Sequence, residues 1–224
     1  REVLAEFFKS VPFDDIAVVS YLTLGQIASQ YENVVLGLAE KSIIKAIALA
    51  SGIPESKVKG IVQKKGDAGL AAEELLQKKP KTLIPVGTLT IHAFFATLHK
   101  IVGTAGTGSQ EKKTSLLVSL LQKASPLEAK YLVRIALGTL RMGVGDMTVL
   151  DALAMAYTGE KKNKEFLERA YNICPDVGEI ATVLARKGLK GLEKIDIHVG
   201  RPIKMMLAQR VEELAELKDK MPGK

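Results

Sequence analysis

The sequence predicts an all-α fold made from two copies of one helical unit. Three observations carry this. Apolar residues recur at helical spacing through nearly the whole chain, helix-start signals punctuate it, and no convincing strand alternation precedes the C-terminal tail. The duplication is explicit. Residues 36–52 read LGLAEKSIIKAIALASG and residues 142–159 read MGVGDMTVLDALAMAYTG; in each, a Gly opens a turn, an acid follows three residues later, and Ala recurs at alternate positions beyond. Ala46, Ala48 and Ala50 match Ala152, Ala154 and Ala156. Asp67-Ala68-Gly69 matches Asp176-Val177-Gly178, and a Leu-Gly step precedes each copy at Leu24-Gly25 and Leu137-Gly138. The unit is about 110 residues, far longer than solenoid repeats, so two pseudo-twofold-related halves are expected rather than an array.

In chain order, helices are expected at 2–9, 14–24, 40–51, 54–64 and 68–78, then at 90–102, 109–123, 126–139, 147–157, 163–172, 177–187 and 189–193. The spacing of Leu116, Leu117, Leu120 and Leu121, and of Tyr131, Leu132, Ile135 and Ala136, is helical. Ser125-Pro126-Leu127-Glu128 is a capping box with Pro at the first helical position, and Asp176 precedes Glu179 in the same manner. Thr90, Ser109 and Asp146 are expected N-caps. The run KKPKTLIPVGT at 78–88 holds two Pro and a Gly between helical patterns, which makes 80–88 the expected connector between halves at about 1–79 and 89–199. From Gly200 the chain reads as a Pro-broken extended tail, then a short charged helix at 209–220.

At 224 residues and 47% hydrophobic content the chain can bury a sizeable core, and disorder is not the default. No run approaches the roughly 18 apolar residues of a membrane span. One Cys excludes an internal disulfide and fits a reducing, intracellular compartment. Cys174 itself reads as a small core residue. The net charge of +7 favours anionic partners, nucleic acid first, while 5% aromatics and no Trp argue against a stacking platform for single strands. Contact with duplex phosphates suits the composition better.

Catalytic constellations are missing. His92, His99 and His198 show no metal-ligand spacing with Cys or carboxylate, and there is no nucleophile elbow, Walker loop or dinucleotide fingerprint. No catalytic or metal residue is assigned. What remains are Gly-rich turns that open helices and carry cations. In Gly106-Thr107-Gly108-Ser109-Gln110-Glu111-Lys112-Lys113, small residues let a phosphate approach the free amides of a helix start, and the lysines add charge. In 138–145, Arg141 lies among Gly138, Gly143 and Gly145 just before the next helix. The corresponding turns of the first half carry Lys41, Lys64 and Lys65. Glu40, Asp67, Asp146 and Asp176 read as helix caps. Ile91, Phe94, Phe95 and Leu98 share one helix face and read as core rather than as a clamp-binding peptide.

The segments LGLAEKSIIKAIALASG, KKGDAGLAAE, GTGSQEKK, SPLEAKYLVRIALGTLRMGVGDMTVLDALAMAY and GRPIKMMLAQR, taken together and in order, resemble the N-terminal DNA-binding domain of archaeal and eukaryotic-type ATP-dependent DNA ligases. The resemblance implies that residues 1–199 form that domain. Residues 200–224 would then be the linker and the start of a truncated adenylation domain. It implies sequence-independent binding of nicked duplex DNA through phosphate and minor-groove contacts, and a parent enzyme that seals nicks in replication and repair with ATP and Mg²⁺. The family's Lys-x-Asp-Gly motif would lie beyond Lys224, so the fragment needs no cofactor and is expected to be inactive alone. By the same resemblance Gly108, Ser109, Lys112, Lys113, Arg141, Gly143 and Gly145 lie at the DNA. Some relatives bind a sliding clamp through an aromatic pair in the connector, and here 80–88 has none. A monomer is expected, with no membrane partner. Apart from the resemblance, a helical protein-interaction scaffold stays open as an alternative.

Overall fold

The computed structural model describes residues 1–78 and 89–204. Among these the chain forms eleven α-helices and no strand: α1 (Glu2–Ser10), α2 (Ile16–Thr23), α3 (Glu40–Ser51), α4 (Glu55–Lys65), α5 (Ala68–Leu75), α6 (Ile91–Gly103), α7 (Ser109–Lys123), α8 (Pro126–Ala136), α9 (Asp146–Thr158), α10 (Lys164–Ile173) and α11 (Val177–Leu192). The all-α reading holds, with the expected helices displaced by a few residues at their ends. Two expected helices, 177–187 and 189–193, are one element bent at Gly188, whose φ of 62° and ψ of −163° interrupt the helical backbone. The connector 80–88 and the helix expected at 209–220 lie outside the described residues.

Start signals work as the sequence suggests at four helices. Ser125 and Glu128 form the reciprocal capping box of α8, Asp67 accepts from the Leu70 amide, Asp176 from Glu179 and Thr90 from Ala93. Caps of this kind stabilise by about 1 kcal/mol each. Three expected caps are corrected. Glu40 is the first residue of α3, whose cap position is held by Ala39. Ser109 and Asp146 are the first residues of α7 and α9, and Gly108 and Gly145 hold the cap positions.

Two hydrophobic cores result, and the sequence copies are not the packing units. One core is built from residues between Ile27 and Ala136, with Leu98, Leu117 and Leu121 fully buried. The other joins both ends of the chain: Phe8 and Ile16 meet Leu150, Leu153, Leu167 and Ile180. The helix pairings repeat across the two. Where α3 packs on α7 and α5 on α8, α9 packs on α1 and α11 on α2. Copy one therefore lends α1 and α2 to the second core, and α7 and α8 of copy two complete the first. Helix α6 lies between them, with Phe94 and Phe95 against the first core and Ile91 against the second.

A glycine makes room at two of these crossings, α5 on α8 and α11 on α2. A Cβ on Gly69 would sit 2.7 Å from the Lys130 carbonyl oxygen of α8, and one on Gly178 would collide with the Tyr21 ring of α2. Each crossing is closed by the preceding aspartate. Asp67 holds Arg134 at 3.0 Å, and Asp176 accepts from the Tyr21 hydroxyl at 2.5 Å. Arg134 and Tyr21 occupy the same position, four residues before the Gly of their Leu-Gly steps.

Because only the first core is contiguous in sequence, residues 26–140 alone are expected to unfold cooperatively in urea, followed by circular dichroism. Residues 141–204 alone lack α1 and α2, leave the faces of α9 and α11 bare, and are expected to show no cooperative transition. The reverse pattern would contradict this division.

Candidate nucleic-acid interface

The turns singled out in the sequence are brought together along one strip. The start of α7 lies against the turn before α3, where Lys113 Nζ donates to the Leu36 carbonyl at 2.9 Å and Gln110 Nε2 to the Gly37 carbonyl at 3.4 Å. From α3 the strip continues through a cleft of about 340 Å³, whose lining includes Glu40, Gly66, Asp67, Gly69, Thr139 and Arg141. The starts of α7, α3 and α5 and the turn 138–145 are thus linked by direct contacts.

Along this strip Gly108, Lys112 and Arg141 are exposed and Ser109 is half-buried, and Gly143 and Gly145, also exposed, follow Arg141 in the same turn. Lys113 is different: it is only 9% exposed, and its ammonium is committed to the Leu36 carbonyl. It fixes the Leu36–Gly37 turn to α7 and offers no free charge outward, since the side chain lies on the core-facing side of α7. The N-cap residues Ala39, Gly108 and Gly145 provide no side-chain cap to α3, α7 and α9. Ser42, Ser109 and Thr148 donate their amides to nearby backbone carbonyls, which leaves the amides of Glu40, Lys41, Gln110, Glu111, Asp146 and Met147 for an outside acceptor at the positive end of each helix dipole.

Arg141 is the least ordinary residue of the strip. Its φ is 55°, and among the described residues only Asn33 is another non-glycine with positive φ. This left-handed conformation costs a side-chain-bearing residue roughly 1–2 kcal/mol. Glycines with φ of 67° and 65° flank it at 138 and 143. Its side chain is 62% exposed, and Nη1 lies 3.6 Å from Asp67 Oδ2. Asp67 is 8% exposed and also receives Arg134 through Nε at 3.2 Å and Nη2 at 3.0 Å. Burial alone would raise the Asp67 carboxyl, but the Leu70 amide and the Arg134 guanidinium outweigh it and hold it below the usual Asp range. Reading the sequence identified Asp67 as a cap and missed its pairing with Arg134. The signal was available: Arg134 replaces Tyr21 at the matched position of the other copy.

The family model described as "DNA ligase N terminus" matches residues 1–154. This chain belongs to that family. It is 43% identical over 220 residues to a DNA ligase of Nitrosopumilus maritimus, a match covering 98% of this chain and 37% of that protein. It is 43% identical over 223 residues to a probable DNA ligase of Persephonella marina, covering 100% of this chain and 38% of that protein. It is 42% identical over 221 residues to a probable DNA ligase of Aquifex aeolicus, covering 99% and 38%. The chain therefore spans less than two-fifths of the curated relatives it matches.

In this family member the first-turn acids of α9 and α11 are met by residues 201–204. Lys204 Nζ reaches Asp146 Oδ2 at 3.3 Å and stands 4.3 Å over the Tyr171 ring, while its amide donates to the Asn172 carbonyl at 2.9 Å. Arg201 pairs with Glu179 at 2.6 Å. Tyr171 donates to Asp146 at 2.7 Å, and burial together with that carboxylate pushes its phenol well above the ordinary value. Cys174 is buried 3.3 Å from Arg201, and burial with nearby Glu179 raises its thiol. Among the described residues no group of His, Cys, Asp and Glu could hold a metal ion, and no helix is long and apolar enough to cross a membrane.

The strain at Arg141 has a measurable consequence. Arg141→Gly and Arg141→Ala remove the same guanidinium, but only Gly relieves the left-handed backbone. Arg141→Gly is expected to be more stable than Arg141→Ala by about 1 kcal/mol in urea unfolding. Equal midpoints would show that the turn carries no strain.

Proposed function

We propose that this chain is the DNA-binding part of an ATP-dependent DNA ligase and grips nicked duplex DNA through its phosphates without reading base sequence. The observation that carries the reading is the convergence of uncapped helix starts with exposed Lys112 and Arg141 on one strip. Amides at α7 and α9 and nearby cations are the donors that phosphate oxygens take, and such contacts position a duplex without distinguishing bases. The net charge of +7 adds long-range attraction. Gly108, Ser109, Gly143 and Gly145 supply close backbone approach, Lys112 and Arg141 supply charge, and Lys113 supports them from within. Nick sealing, with ATP and Mg²⁺, belongs to the rest of the parent protein, to which this domain contributes by holding the break in place. Its setting is the intracellular duplex of replication and repair.

A second reading, a helical interaction scaffold, draws on an apolar groove of about 360 Å³ beside α6, lined among others by Leu22, Ile91, Phe94, Tyr131 and Ile135. The two readings separate by salt. Phosphate binding requires log affinity to fall linearly with log salt, by roughly 0.9 per phosphate neutralised. Lys112→Ala and Arg141→Ala are each expected to lower that slope by about 1 and to weaken all duplex sequences alike. A flat salt response in a fluorescence-anisotropy titration favours the scaffold, and a sequence-dependent loss contradicts phosphate-only contact.

A further inference from the structure

We propose that Asp67 is the positioning residue for Arg141: its carboxylate holds one edge of the guanidinium so that the opposite edge faces a DNA phosphate. The inference rests on the DNA-binding reading above. Asp67 is itself immobilised. It caps α5 through the Leu70 amide at 2.9 Å, receives Arg134 from α8, and is almost completely enclosed where Gly69 lets the two helices touch. Arg141 meets this fixed carboxylate with Nη1 at 3.6 Å while most of its side chain is open. A guanidinium is planar and carries five donors, so one edge can rest on a carboxylate while the other binds a second anion.

The duplication provides the contrast within the molecule. Asp176 caps α11 as Asp67 caps α5. There, however, Tyr21 stands where Arg134 stands, and Val35 where Arg141 stands when the turns are aligned on Gly37 and Gly143. Only Asp67 pairs its capping carboxylate with arginines; the matching turn at Val35 is also exposed but carries no charge for Asp176 to hold. A cap alone does not need a charge here, because Asn caps as well as Asp, and a carboxylate at a phosphate-binding surface weakens the local positive potential. Holding Arg141 in a defined direction gives the charge a use.

The test is a double-mutant cycle on the 224-residue chain, read as anisotropy of a labelled nicked duplex at fixed salt. Asp67→Asn keeps the cap and raises the net charge by one, so electrostatics alone strengthens binding, whereas loss of positioning weakens it. The expected result is a loss of about fivefold, within the range of coupling between residues in contact. In the Arg141→Ala background Asp67→Asn is expected to change nothing further, and with Lys112→Ala the two losses multiply. Tighter or unchanged binding by Asp67→Asn, or a loss that persists without Arg141, overturns the proposal while salt-dependent wild-type binding leaves the DNA reading standing. Wild-type binding no better than that of a helical protein of equal charge removes both. If Asp67→Asn does not fold by circular dichroism, Arg141→Lys carries the test. It retains the charge but not the two-edged plane, so a severalfold loss supports the proposal and wild-type affinity overturns it.

Discussion

The structure depends on two helix crossings in which a glycine makes room for the facing helix, its backbone at Gly69 and the Tyr21 ring at Gly178, and the aspartate two residues earlier closes the contact. At α5–α8 the pair is Gly69 and Asp67, and at α11–α2 it is Gly178 and Asp176. Each aspartate does two things: it satisfies the first-turn amides of its own helix and accepts from a side chain on the crossing helix. A buried carboxylate needs hydrogen bonds or a countercharge: Asp67 has both, and Asp176 is held by the Tyr21 hydroxyl and the Glu179 amide. Burial and the Asp176 bond also push the Tyr21 phenol far above its ordinary value, so that hydroxyl remains a donor.

These crossings bind the two copies into one body. Because α1 and α2 complete the second core and α7 and α8 the first, the chain crosses between cores at two turns, 24–39 and 137–145. Those turns touch, with Leu140 against Gly25. The Arg141 turn is thus anchored at Leu140, where it packs on Gly25. Backbone strain such as that at Arg141 persists only where surrounding structure over-determines it. The same architecture puts matched helix starts in two settings. Those of α3 and α7 face the strip, whereas the first-turn acids of α9 and α11, Asp146 and Glu179, are paired with Lys204 and Arg201.

Much of the fold was legible in the sequence. Capping boxes, Asp at helix starts and 3.6-residue periodicity act over a single turn, so the local chain encodes them without help. The internal repeat was legible for the same reason, as a recurring order of marks. Much of the candidate strip was legible too, because Gly-rich turns with cations announce themselves. Lys113 was misread because its helix face is decided by packing: α7 turns it toward Leu36, while Lys112 one position earlier faces out. Ser109 and Asp146 were misread as caps because the choice between adjacent residues turns on backbone angles that a letter does not report.

The sequence by itself determined the helix class, the duplication, the positive charge and the family. What only the tertiary structure decided is the exchange of helices between copies, the pairing of Asp67 with Arg134 and Arg141, and the burial of Lys113. The reason is separation along the chain. Asp67 and Arg134 are brought together by the close packing of α5 on α8, and no pattern within either helix states which partner it will meet.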